Sequence, residues 1–67
     1  MAEKREHILS VAEELFAEHG YEGTSVRTLA SKAKVNVAMV GYYFGSKEKL
    51  FAALIEDRST HMRQRIQ

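Results

Sequence analysis

Residues 24–44 read TSVRTLASKAKVNVAMVGYYF, and the fold follows from how this stretch is parsed. Val26, Leu29, Ala30 and Ala33 recur at three- and four-residue steps, so they share one face of a helix. Arg27, Thr28, Ser31 and Lys32 are left on the other face. Lys34-Val35-Asn36 then breaks the pattern. Beyond the break, Val40 and Phe44 mark the apolar stripe of a second short helix, with Ala38, Met39, Tyr42 and Tyr43 on its outer face. Two short amphipathic helices joined by a tight turn make a helix-turn-helix, whose second helix can lie in a DNA major groove.

Working outward, the flanking residues supply the caps. Either the Thr24 or the Ser25 hydroxyl can accept an exposed N–H at the start of the first of these helices. No Glu or Gln stands three residues later to close a capping box, so the same helix end could also hold a phosphate. Asn36 is a suitable cap for the second, placed at residues 37–44. Gly41 costs about 1 kcal/mol inside a helix relative to Ala. The wheel sets it near the packed face, where a close-packed neighbour would offset that cost.

Residues 3–19 carry a longer helical pattern through Ile8, Ala12, Leu15, Phe16 and His19, flanked by Leu9 and Val11. Glu3 and Glu6 suit its first turn, and Gly20 can close it in the left-handed conformation. Tyr21-Glu22-Gly23 is then a connecting turn, with Tyr21 expected to fold back on the core. Downstream, Gly45 and Ser46 punctuate the chain, and a fourth helix brings Leu50, Phe51, Leu54 and Ile55 inward. Past Asp57 the pattern thins to Met62 and Ile66. That thinning fits a helix whose last turns await a partner outside this chain, or a frayed end. The expected architecture is all-α: a three-helix, homeodomain-like helix-turn-helix core over residues 1–46. Residues 47–67 start a fourth helix leading towards an absent ligand-binding and dimerisation domain.

Sixty-seven residues suffice for one small domain with a marginal core. With no cysteine, neither disulfides nor thiolate metal sites are available. No apolar run approaches the roughly 20 residues of a membrane span, and MAEKREH is not a signal peptide, so no membrane partner and a cytoplasmic location are expected. The net charge of +1 hides a segregation. Residues 1–23 carry a net −4, residues 24–49 a net +4 and residues 50–67 a net +1. Positive charge thus gathers on the helix-turn-helix, where phosphate contacts would be made. His7, His19 and His61 have no metal-ligand spacing, and neither a phosphate-cradling glycine loop nor a nucleophile elbow occurs. No catalytic residue, metal or cofactor is expected, and the chain does not read as an enzyme. The competing class is a small helical module whose groove takes a partner helix, with Met39 and the two tyrosines as adaptable contacts.

The run AEELFAEHGYEGTSVRTLASKAKV, followed by YYFGSKEKLFAALI, resembles the N-terminal domain of the TetR family of bacterial transcriptional regulators. The likeness covers Ile8 to about Ile55 and rests on LF-x-E-x-G-Y, T-S-V-R and YYFGSKEKL taken together. It implies a third helix that reads the major groove of double-stranded operator DNA. It also implies a larger C-terminal domain that binds a small-molecule inducer and makes a homodimer, so that the protein is a repressor released by that inducer. On its own, this chain is expected to be a monomer. By the resemblance, Thr24 or Ser25 holds a phosphate and Arg27 reaches DNA from the second helix. Val37, Ala38 and Met39 face base edges, Tyr42 and Tyr43 hold the backbone, and Lys47 pairs with a phosphate.

The chain departs from the family pattern in three respects. Lys34 stands where the turn usually has glycine, which predicts a positive φ for a lysine. Val37-Ala38 replaces a small or basic pair, and Gly41 replaces a tyrosine. Val37, Ala38 and Met39 offer no hydrogen bonds, so they can only touch thymine methyls or exclude mismatched edges. Bidentate reading of guanine then falls to Arg27. Val37 reads equally as a core residue at the helix start, and Tyr42 and Tyr43 as partly packed residues with solvated hydroxyls.

Overall fold

Four helices succeed one another in the computed structural model, which describes residues 2–66 and the side chains of residues 4–59. They are α1 (Ala2–His19), α2 (Val26–Ala33), α3 (Val37–Phe44) and α4 (Lys47–Ile66). No strand occurs among the described residues. The helix α1 lies against α2 and α4, while α3 packs on both α2 and α4.

One apolar cluster joins all four helices. From α1 it takes Ile8, Leu9, Val11, Ala12 and Leu15, and from α2 it takes Leu29, Ala30 and Ala33. Val40 and Phe44 of α3 and Leu50 and Leu54 of α4 complete it. Ile8, Leu9, Leu29 and Leu50 are fully buried, so each contributes about 1.5–3 kcal/mol of apolar burial. A satellite of three rings, Phe16, Tyr21 and Phe51, closes the α1–α2 turn against α4, with centroids 5.1–5.7 Å apart. Tyr21 therefore does fold back on the core.

Each connection has a local cause. Gly20 takes φ 79°, and its N–H donates to the Phe16 carbonyl at 2.9 Å, which closes α1. A Cβ on Gly23 would collide with the His19 carbonyl oxygen, so that turn needs glycine for space. Lys34 sits at φ 63°, ψ 40°, in the left-handed region as predicted from its place in the turn. Its N–H donates to the Ser31 carbonyl at 3.2 Å, and the Val35 N–H donates back to Ala30 at 3.0 Å. These two bonds form a Schellman closure, and the half-buried Val35 packs against the core to complete it. Gly45 at φ 97° ends α3, and the Ser46 hydroxyl accepts the Lys49 N–H at 3.1 Å to begin α4.

Three sequence expectations are overturned. His19 is exposed rather than part of the buried stripe, because α1 ends there and the ring turns to Glu18, 3.5 Å away. Ile55 is 51% exposed: it lies one residue, about 100°, round the helix from Leu54, which holds the inward direction. Gly41 is on the exposed side of α3 and no neighbouring atom stands within 4 Å of where its Cβ would be, so no packed neighbour offsets its cost. Met62, Ile66 and His61 lie outside the residues whose side chains are described, as does Glu3.

Polar contacts tie α1 to its neighbours. The His7 Nε2 is 3.1 Å from the Ala33 carbonyl oxygen, which can only accept, so the proton is on Nε2. Arg58 of α4 donates to Glu13 at 3.0 and 3.1 Å and to Glu6 at 3.3 Å, and also pairs with Asp57. The bond to Glu13 chiefly raises the guanidinium pKa further, so the guanidinium keeps its charge at any working pH.

Candidate nucleic-acid interface

The helices α2 and α3 meet through Leu29, Ala30 and Ala33 on one side and Val40 and Phe44 on the other. Their opposite faces are thereby left free. On α2 these carry Arg27, Thr28, Ser31 and Lys32; on α3 they carry Val37, Ala38, Gly41 and Tyr42. Arg27 has no ion-pair partner among the described residues, so its guanidinium is available to an incoming anion.

The two candidate caps of α2 separate. Ser25 is the cap: its backbone is extended, and its hydroxyl accepts the Thr28 N–H at 3.1 Å while donating to the Thr28 hydroxyl at 2.9 Å. Thr24 is 2% exposed, and its single hydroxyl proton is shared between the Gly20 carbonyl at 2.9 Å and the Leu15 carbonyl at 3.2 Å. The Gly20 carbonyl lies just past the end of α1, while the Leu15 carbonyl belongs to its last turn and also accepts within the helix. Thr24 therefore fastens α1 to the start of α2, and its hydroxyl is not free to hold a phosphate. Ser25 remains at the surface.

At the start of α3, the Asn36 side-chain oxygen accepts the Met39 N–H at 2.8 Å, which commits it to capping. Val37 is 47% exposed and Ala38 is exposed, so the core reading of Val37 fails. Met39 is half-buried and stands at the edge of the free face rather than in its middle. The tyrosine pair also divides. Tyr42 is 84% exposed, whereas Tyr43 is half-buried and packed on the core. Their rings still touch edge-to-face at 5.4 Å, so Tyr43 buttresses Tyr42.

Lys47, in the first turn of α4, is half-buried, with its Nζ 4.1 Å from the centroid of the Tyr21 ring. Partial burial, then the carboxylates of Glu48 and Glu22, hold the Tyr21 hydroxyl above its ordinary pKa. The ring is therefore neutral at physiological pH. No periodicity links Tyr21 to Lys47, and only the packing of α4 on the turn brings them together. Among the described residues no acidic or histidine cluster could hold a metal ion, and no helix is long and apolar enough to cross a membrane.

Comparison with known proteins places this geometry. The model for bacterial regulatory proteins of the tetR family matches residues 8–54. The HTH-type transcriptional repressor AcnR of Corynebacterium efficiens is 40% identical over 62 residues, covering 92% of this chain and 33% of that protein. The HTH-type transcriptional repressor NicS of Pseudomonas putida is 42% identical over 52 residues, covering 78% and 24%. The crystal structure of HlyIIR, a hemolysin II transcriptional regulator, superposes with a TM-score of 0.78 at 47% identity, covering 82% of this chain and 31% of that one. The chain thus spans a third or less of the length of these relatives. Since the matched span runs through the whole helix-turn-helix and into α4, the chain belongs to the TetR family of bacterial regulatory proteins.

Proposed function

We propose that this chain is the sequence-specific DNA-binding domain of a TetR-type transcriptional repressor, acting in the cytoplasm on double-stranded operator DNA. The observation that carries the reading is the pair of free faces on α2 and α3, held by the left-handed turn at Lys34 within a family of regulators. In this reading α3 enters the major groove. Ser25 and Lys47 meet phosphates, and Tyr42 lays its exposed hydroxyl on the backbone. Arg27 supplies the bidentate donor for guanine.

Base reading along α3 has a particular chemistry. With the Asn36 oxygen spent on its cap, Val37 and Ala38 present only methyl groups, and Met39 at their edge adds a thioether. The C5-methyl of thymine is the groove feature that such a surface can favour. In the whole protein, a C-terminal domain makes the homodimer that grips two half-sites about one helical turn apart, and a small-molecule inducer releases it.

Selection of bound duplexes from a random pool, followed by titration against salt, tests the reading. The expected outcome is a recovered half-site whose affinity falls steeply with ionic strength. Replacing each thymine of that site by deoxyuridine removes only the methyl groups, and should cost about 0.8 kcal/mol per contacted base. Arg27→Ala should cost about 1–3 kcal/mol on the selected site and little on scrambled DNA, whereas Lys47→Ala should weaken both and lower the salt slope by about one. Binding that ignores salt, or recovery of no common sequence, would overturn the proposal.

A further inference from the structure

We propose that Tyr21 is a positioning residue for DNA binding, holding Lys47 ready for a phosphate; this rests on the reading of the chain as a DNA-binding domain. Three observations support it. The Lys47 ammonium lies over the Tyr21 ring, 4.1 Å from its centroid, within the range of a cation–π contact. That ring is itself fixed by Phe16 and Phe51, at centroid distances of 5.7 and 5.1 Å. Lys47 also has no carboxylate partner and no hydrogen-bond acceptor among the described residues, although Glu22 and Glu48 lie near enough to act on the Tyr21 hydroxyl.

The chemistry of this arrangement differs from that of an ion pair. A carboxylate would neutralise the ammonium and occupy its donors. The face of a neutral ring attracts the charge and takes up at most a weak N–H···π contact, so the remaining donors stay available to phosphate oxygens. The ring also offsets an unfavourable placement, since a lysine in the first turn of α4 faces the positive end of the helix dipole. A lysine free on its four-carbon stem loses about 0.5–1.5 kcal/mol of side-chain freedom when it is immobilised at an interface. Tyr21 takes up that loss before DNA arrives.

A double-mutant cycle on the 67-residue chain tests this, with a selected half-site and a scrambled duplex titrated against salt. Tyr21→Leu should weaken binding to both duplexes about two- to tenfold, with the salt slope unchanged because the charge remains. Tyr21→Phe, which keeps the ring face, should bind as the parent does. In the Lys47→Ala background, Tyr21→Leu should have no further effect. A loss of equal size with and without Lys47 would reduce Tyr21 to a packing residue, and a loss in Tyr21→Phe would assign the effect to the hydroxyl; either result overturns the proposal. If Tyr21→Leu does not fold, the parent's proton spectrum decides. The Lys47 ε-methylene protons should be shifted upfield by the ring, and unshifted protons overturn the proposal without reference to DNA. Failure of every duplex to bind overturns the DNA-binding reading, and the role of Tyr21 with it.

Discussion

Gly41→Ala should move stability and DNA affinity in opposite directions. Glycine inside a helix is about 1 kcal/mol less favourable than alanine, and nothing in the domain justifies that cost. The added Cβ meets no neighbouring atom within 4 Å, and Gly41 is not among the residues of positive φ. The variant should therefore gain nearly the full difference, a rise in melting midpoint of about 4–8 °C for a domain of this size. Yet the new methyl projects from the exposed side of α3, between Val37 and Tyr42, where the proposed duplex approaches. A helix held off the groove loses its base contacts, and a penalty comparable to one mismatched base pair, about 1–3 kcal/mol, is expected. Circular dichroism at rising temperature gives the first quantity, and fluorescence anisotropy with a labelled half-site gives the second. A lowered midpoint would mean that Gly41 is confined after all. Unchanged affinity would mean that this side of α3 does not face DNA.

Lys34→Gly should raise the stability by up to about 1 kcal/mol, since the present residue is a side chain in the left-handed region; a loss in urea titration would contradict the turn described above. Thr24→Val should cost about 1–3 kcal/mol by removing the buried hydroxyl that donates to the Gly20 and Leu15 carbonyls, while the salt slope of DNA binding stays as it was. A changed slope would restore Thr24 as a phosphate contact. The 67-residue chain should sediment as a monomer at micromolar concentration. Outside the proposed DNA face, Ile55 is the one large apolar side chain exposed among the described residues, far short of the roughly 1,200 Å² of a stable interface. A stable dimer would refute this.

Short-range information carried most of the fold. Helical spacing along residues 24–44, the caps at Ser25, Asn36 and Ser46, and glycines at positions 20 and 45 are each local choices, decided by residues a few positions apart. Lys34 belongs with them, because a Schellman closure is built from the backbone of the turn itself. What the sequence left open was direction. Periodicity bounds an apolar stripe only to within a residue, about 100° of helix, and that single step separates buried Leu54 from exposed Ile55 and buried Val40 from exposed Gly41. Neighbouring tyrosines could not be told apart for the same reason, until α3 was set against the core and Tyr43 turned inward. Thr24 and Ser25 look alike as caps; only the end of α1, which brings the Leu15 and Gly20 carbonyls to Thr24, distinguishes the fastening hydroxyl from the surface one. The contact of Tyr21 with Lys47 joins residues with no shared period, and exists because the ring trio docks α4 onto the first turn. Local propensity thus determined where the helices begin and end, and tertiary packing decided which side chains face outward to do the binding.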